Sequence, residues 1–452
     1  MNKIKIGMMV LSLPPEKSTV VPQAVKASGL MGDCLEKSLN NAGFICVREK
    51  KAVQDEILAI ESTKRLLSQD VDCLLYMTGS WLYSSIISAA ALEAKFPLIL
   101  FAPRHNDVSA LSTTCILHGS LDELGVEHKF IYGYPDDKEV LKEIKTYAIA
   151  SMVKKRLNNT RYGLYGGRCM YMYTGMPDLI QIRKLFGIET VHISEHILIE
   201  MAKNENKESV QKYLKNFKAR FKNIKVSDEV LEKSIRLYFA LKMSSESEKI
   251  DFAGVKCIPE CVGEYCSHCL SVSLNNDNGF IVSCEADTNA AITMKILNLM
   301  SGKSAGSADV KELDRNTMIL RLINCGSLPT DFAKNDNEII WMEQYDSIVH
   351  GKKEGGATAS FVCKPGKITL ARLARINGEY IMQIATGEAL NRSRKAMNGV
   401  RDRWPQIFIK LEADYSEFLK NCRSNHLHWV YGDYKDELIE LCRLYNIKTT
   451  IN

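Results

Sequence analysis

The chain has 452 residues, 46% apolar and 25% charged, with a net charge of +5; this is the make-up of a globular protein too long for a single core, so two or three domains are expected. So small a charge excess, without long blocks of like charge, argues against a nucleic-acid-binding surface, and no apolar stretch reaches the roughly 18 residues of a membrane span. The fourteen cysteines are scattered and no secretion signal precedes them, which predicts reduced thiols and a cytoplasmic location.

The opening MNKIKIGMMVLSLPPEKS places lysines before an apolar run. The run is short, lacks a small-residue cleavage site and ends in Pro-Pro-Glu, so it reads as a first strand over 3–13. Helical spacing follows over 30–42, then the strand-like FICVR at 44–48, a helix over 56–67, a strand over 72–77, a helix over 83–94 and the strand PLILFA at 97–102. That rhythm predicts a doubly wound parallel sheet. The loop TGSW at 78–81 lies at a predicted strand end, where a ligand could touch it or the chain could simply turn.

A second α/β unit starts near residue 162, where Gly163, Gly166, Gly167 and Gly175 surround a strand-to-helix transition. Their spacing is neither GxGxxG nor a P-loop, so nucleotide binding is not the preferred reading. Residues 203–248 are rich in lysine and glutamate with helical periodicity and predict a helical hairpin with solvated faces.

Residues 251–291 carry the chemistry. Two short apolar runs, 252–258 and 279–284, each end in carboxylates: Glu260 after the first, Glu285 and Asp287 after the second, and then a helix-like ITMKILNLM. Ligands gather at strand ends, although acidic residues there also cap helices. The stretch supports two sites. Cys257, Cys261, Cys266 and Cys269, with His268 among them, could hold zinc or an iron-sulfur centre, yet they include one C-x2-C pair and no second at zinc-ribbon spacing, so free thiols are the plainer reading. Alternatively Glu260, Asp287 and a histidine from elsewhere would form an oxygen-rich site suited to manganese or magnesium.

Downstream, 314–329 and 355–388 alternate apolar and polar residues around Pro365-Gly366 and Asn377-Gly378, the latter a strong hairpin signal, and predict a β-rich C-terminal domain. In NCRSNHLHWVYGD, His426 and His428 are two apart and share one face of a strand; they are the candidate histidines. Trp81, Trp404 and Trp429 are candidate ligand-stacking residues, though isolated tryptophans more often pack.

Several motifs, in order, resemble the L-fucose isomerase and L-arabinose isomerase superfamily, on its fucose side. They are GGRCMYMYTGMPD at 166–178, GVKCIPE at 254–260, VSCEADTNAAITMKILNLMSGKSAGSADV at 282–310, LINCGSLP at 322–329, KPGKITLARL from 364, and SNHLHWVYGD at 424–433. The resemblance implies two Rossmann-like domains, 1–157 and 158–304, and a barrel-like third, 305–452. It implies an aldose-ketose isomerase acting on a small-molecule sugar with Mn2+, or another divalent cation such as Mg2+ or Co2+. Glu260 and Asp287 then look like metal ligands that also transfer the proton, His426 like the third ligand, and Met170 and Asn425 like residues lining the sugar pocket; His428 gains no role. Relatives form trimers or hexamers, so a homo-oligomer is expected.

The cation makes sense because moving a carbonyl from C1 to C2 builds enediolate charge that a Lewis acid stabilises, while carboxylates carry the proton. Two departures bear on the substrate. Asn324 stands where arabinose-type relatives tend to carry a histidine. The first arginine is Arg48, so the fucose-type first-strand arginine is missing, and Lys17 is the nearest cation without a planar fork. An unphosphorylated deoxy- or pentose-type aldose is expected, with phosphorylated or sulfonated sugars left open. The competing readings are a non-catalytic sugar-binding paralogue and a thiolate-metal protein built on Cys257 to Cys269.

Overall fold

In the first 155 residues the alternation of apolar runs and helical spacing forms five parallel strands, seen in a computed structural model that describes residues 3–13, 22–344, 355–399 and 402–452. Lys17 lies outside the described residues. The elements are β1 (Lys5–Leu11), α1 (Pro22–Asn41), β2 (Ile45–Arg48), α2 (Glu56–Ser68), β3 (Cys73–Thr78), α3 (Ser84–Ala94), β4 (Leu98–Pro103), α4 (Ala110–Glu123), β5 (His128–Gly133) and α5 (Lys138–Leu157). The sheet order is β2-β1-β3-β4-β5. Every residue of β3 and β4 is buried, which is why both strands read as unbroken apolar runs rather than alternation.

A second parallel sheet, in the order β10-β9-β6-β7, arises from β6 (Arg161–Tyr165), α6 (Leu179–Phe186), β7 (Glu189–Ile193), α7 (Glu195–Lys203), α8 (Lys207–Arg220), β8 (Asn223–Ile224), α9 (Asp228–Ser247), β9 (Phe252–Val255), α10 (Glu260–Glu264), α11 (Cys269–Asp277), β10 (Val282–Cys284) and α12 (Thr288–Ser301). The lysine-rich hairpin is α8 and α9, with the two-residue β8 between them. Helices α10 and α11 are new relative to the sequence reading. Eight of the nine residues of α11 are buried, so it has no polar stripe and shows no helical period.

The rest comprises β11 (Gly306–Leu313), β12 (Ile319–Ile323), β13 (Ile340–Glu343), β14 (Ala357–Ser360), β15 (Gly366–Ile376), β16 (Glu379–Ala389), β17 (Gln406–Leu411), α13 (Tyr415–Asn421), β18 (His426–Tyr431), α14 (Lys435–Leu444) and β19 (Lys448–Ile451). Antiparallel strands run β15-β18-β11-β12-β17-β16 and close through β15–β16 pairing, while β19 adds to β16 in parallel. This is the β-rich barrel. Its β15–β16 turn is Asn377-Gly378 with φ of 50° and 86°, the two left-handed residues that a two-residue hairpin demands. Trp429 is fully buried on β18 with its ring 5.6 Å from Phe332, so it packs the core. Gly306 opposite is obligatory, because a Cβ there would lie 2.4 Å from the indole.

The chain divides into two compact units. One is residues 1–155 with 436–444; the other, residues 156–435 with 445–452, holds both the second parallel sheet and the barrel. Among the described residues no helix is long and apolar enough to cross a membrane.

Candidate active site

Strand β10 stops at Cys284, and the chain then takes two consecutive left-handed residues, Glu285 (φ 61°) and Ala286 (φ 50°). Such residues cost about 1–3 kcal/mol each and persist where the surroundings over-determine them. Here Ala286 N donates to Val255 O at 2.9 Å, and Thr288 N to Gly175 O at 3.1 Å. Asp287 then caps α12, its Oδ1 accepting from Ala290 N at 2.9 Å. The kink thus sends two nearby carboxylates to different tasks.

Asp287 is 1% exposed and its Oδ2 accepts from Arg372 Nη1 at 2.8 Å and from His426 Nδ1 at 2.9 Å. Burial alone would raise its carboxyl; the Arg372 guanidinium and then His426 outweigh burial and hold it far below the usual carboxylate range. Arg372 also donates to Thr174 O and to Nε2 of His428, each at 3.0 Å. Burial and the Arg372 charge keep His428 neutral.

With Nδ1 committed to Asp287, the imidazole of His426 turns Nε2 toward Glu285 Oε2 at 3.2 Å and Asp309 Oδ1 at 3.7 Å. Asp309 is the cross-strand partner of His426 between β11 and β18, and it accepts from Asn425 Nδ2 at 2.7 Å. Burial opposes charge on His426, yet the Asp287 and Glu285 carboxylates lift the imidazole to about 10. This is the signature of carboxylates that call for positive charge at that point.

The cluster opens on a pocket of about 670 Å³ counting its mouth, whose walls include Met170, Trp404 and Asn425 with Glu285 and Asp309. Ile258, Val262 and the thiols of Cys257, Cys269, Cys284 and Cys325 complete much of the wall. Trp404 is fixed by an Nε1 hydrogen bond to Gln344 Oε1 at 3.2 Å.

The structure therefore brings Asp287 and His426 into contact and places Met170, Trp404 and Asn425 around one pocket. It does not bring Glu260 to them. The Glu260 carboxylate, about half exposed, pairs with Lys256 Nζ at 2.6 Å and faces a shallower pocket with Glu195, His196 and Glu264. Trp81 is 43% exposed in the first unit. Sequence reasoning left Glu285 and Asp309 unassigned. Glu285 was in view as the first acid of EAD, and the deciding feature, the kink after β10, has no glycine to announce it. Asp309 gave no signal, because its importance comes from strand register alone.

Glu285 Oε2 and His426 Nε2, 3.2 Å apart, are close enough to share a divalent cation. Glu285 Oε2 is buried without a hydrogen-bond partner, although polar atoms inside proteins are normally satisfied. A histidine that donates one ring N–H to a carboxylate is the usual arrangement of an imidazole ligand, and His426 has that arrangement with Asp287.

Residues 322–452 match the family model "L-fucose isomerase, C-terminal domain". The chain is 22% identical over 396 residues to a sulfoquinovose isomerase of Priestia aryabhattai, covering 84% of this chain and 85% of that one. It is 20% identical over 391 residues to the sulfoquinovose isomerase of Alkalicoccus urumqiensis, covering 84% and 86%. A third, from Clostridium sp. (strain MSTE9), is 22% identical over 332 residues and 71% of each chain.

Proposed function

We propose that the chain is a sugar isomerase of the L-fucose isomerase and L-arabinose isomerase superfamily and that it interconverts an aldose and its 2-ketose at the Glu285–Asp309–His426 cluster with the help of a divalent cation, Mn2+ first among candidates. The observation that carries this is the convergence of Glu285 Oε2 and His426 Nε2, 3.2 Å apart, with Asp287 behind the imidazole. Glu285 and His426 would hold the cation, with Asp309 beside them; bound there, it would supply Lewis-acid stabilisation of negative charge developing on the sugar. Asp287, locked by Arg372, fixes the tautomer and aim of His426 and is too acidic to take a proton from carbon. Glu260, ion-paired with Lys256 and facing a different pocket, is given no part in this proposal. Met170, Trp404 and Asn425 bind and orient the sugar and exclude water. We place the protein in the cytoplasm as a homo-oligomer, which size-exclusion chromatography with light scattering tests.

For the substrate we favour an aldose with an uncharged tail. Ile258 and Val262 make part of the wall apolar, and none of its described lining residues is Lys or Arg. A sulfonated sugar is the second reading, because the relatives at 20–22% identity are named for sulfoquinovose.

The test is purified protein with Mn2+ against L-fucose, a pentose and sulfoquinovose, reading ketose formation. Glu285→Gln is expected to lose bound Mn2+ and turnover together. Glu260→Gln is expected to keep both Mn2+ and turnover, because its carboxylate faces another pocket. Full turnover by Glu285→Gln, or no ketose from any aldose, would sink the reading.

A further inference from the structure

The cysteines of the 257–269 stretch part company in the fold. Cys257 and Cys269 line the sugar pocket, whereas Cys261 joins Glu195 and His268, the ligand atoms of the three all lying within 4.8 Å of one another. Glu195 is 6% exposed, and Cys261 and His268 are fully buried. Each comes from a different helix end: Glu195 opens α7, Cys261 lies in α10 and His268 is the N-cap of α11.

Three polar atoms of this cluster lack a hydrogen-bond partner: Glu195 Oε1 and both ring nitrogens of His268. The closest approach among them, His268 Nε2 to Glu195 Oε1, is 3.6 Å, too long for a hydrogen bond. An imidazole with neither nitrogen satisfied, sealed from solvent and beside an unpaired carboxylate oxygen, is what remains when the group that satisfies them is not protein. Two more cysteines adjoin the trio. Cys261 Sγ donates to the Cys266 carbonyl at 3.1 Å, and His268 N donates to Cys257 Sγ at 3.3 Å.

We propose that Glu195, Cys261 and His268 form a second metal site, separate from the sugar site, that holds a structural zinc ion. A carboxylate and a thiolate carry two negative charges and neutral imidazole none, so a divalent cation leaves the buried site neutral, as burial requires. The mixed N, O and S donors suit zinc better than manganese, magnesium or calcium. Binding displaces the Cys261 thiol proton to solvent, and a neutral donor such as water completes the tetrahedral shell. The ion pins three helix starts together beside Cys257 and Cys269, two walls of the sugar pocket. The inference does not depend on the isomerase reading.

The test loads the full-length protein with zinc chloride, removes loose metal by desalting with a weak chelator, and measures zinc by mass spectrometry. Glu285→Gln, which disables the sugar site, is expected to retain about one zinc per chain. Adding Cys261→Ser or Glu195→Gln is expected to weaken retention at least about tenfold, in line with the loss of a metal ligand. Cobalt in place of zinc is expected to show thiolate-to-cobalt charge-transfer absorption. Cys261→Asp, which keeps a ligand, should retain the metal and lose that band, so misfolding cannot imitate the result. Equal zinc in Glu285→Gln with and without Cys261→Ser, or no retained zinc in Glu285→Gln, would overturn the proposal.

Discussion

Arg372 is a fully buried guanidinium whose donors reach Asp287, His428 and Thr174 O. Breaking a buried pair by removing one partner costs about 3–5 kcal/mol, because the other charge is left uncompensated. Arg372→Met is therefore expected to lower unfolding stability by that amount in a urea titration. Asp287→Asn in the same background should recover part of it, since it removes the stranded charge and keeps an oxygen to cap α12. A loss that simply adds across the two variants would show that the pair does not act as a unit. Alone, Asp287→Asn should weaken Mn2+ binding about 10–100-fold through the aim of His426, the effect of losing such an orienting partner. At this scale the sequence was partly legible. His426 and Asp287 lie in motifs, but in KITLARLARI nothing separates Arg372 from Arg375; one meets a buried carboxylate and the other a surface Asp178 at 3.7 Å. His428, without a role by motif, is the neutral acceptor that completes the Arg372 fork.

The elements read most clearly were those whose burial is uneven or whose turns have special residues. Strands β1 to β4 and helices α2 and α3 fall within a few residues of their expected bounds, and the Asn377-Gly378 turn lies where its backbone chemistry demands. Helix α11 was illegible because it is buried all round, and it ends in an instructive carboxylate. Asp277 is its last residue, an unfavourable place for an anion at the negative end of the helix, held by Thr330 N at 2.7 Å and Thr330 Oγ1 at 2.6 Å. Burial, opposed by those bonds and aided by Asp331, pushes its carboxyl up to about 6. A carboxyl raised in the folded state favours folding most when protonated. Its contribution is complete below the unfolded value near 4 and is lost as pH climbs through about 6. Asp277→Asn cannot titrate, so it should erase this slope. Relative to the parent, its thermal midpoint should rise between pH 4 and pH 6.5, with a gain of about 1–2 kcal/mol at neutral pH. A difference that stays flat with pH would show that Asp277 carries no such penalty.

At the scale of the molecule, the last residues of the chain serve both units, and no local pattern could have shown it. Residues 436–444 of α14 count with the first unit, while β19 returns to the second. Within the first unit Leu438 and Leu441 are buried, Glu440 pairs with Lys129 at 2.6 Å, and Arg443 lies over the ring of Tyr147 at 5.7 Å. In the second, β19 adds a parallel edge to residues 381–384 of β16. The partners of α14 lie about 290–315 residues away in sequence, a separation at which periodicity carries no information and loop closure must precede any reward. Two truncations separate the roles. A chain ending at 447 loses β19 and should show faster hydrogen exchange at 381–384, with α5 unchanged. A chain ending at 434 also loses α14, and two buried leucines at roughly 1.5–3 kcal/mol each make the first unit weaker by about 3–6 kcal/mol. Amides of β5 and α5 should then exchange faster as well. If the shorter chain disturbs β16 alone, α14 is dispensable to the first unit and the two-unit partition of the C-terminus is wrong.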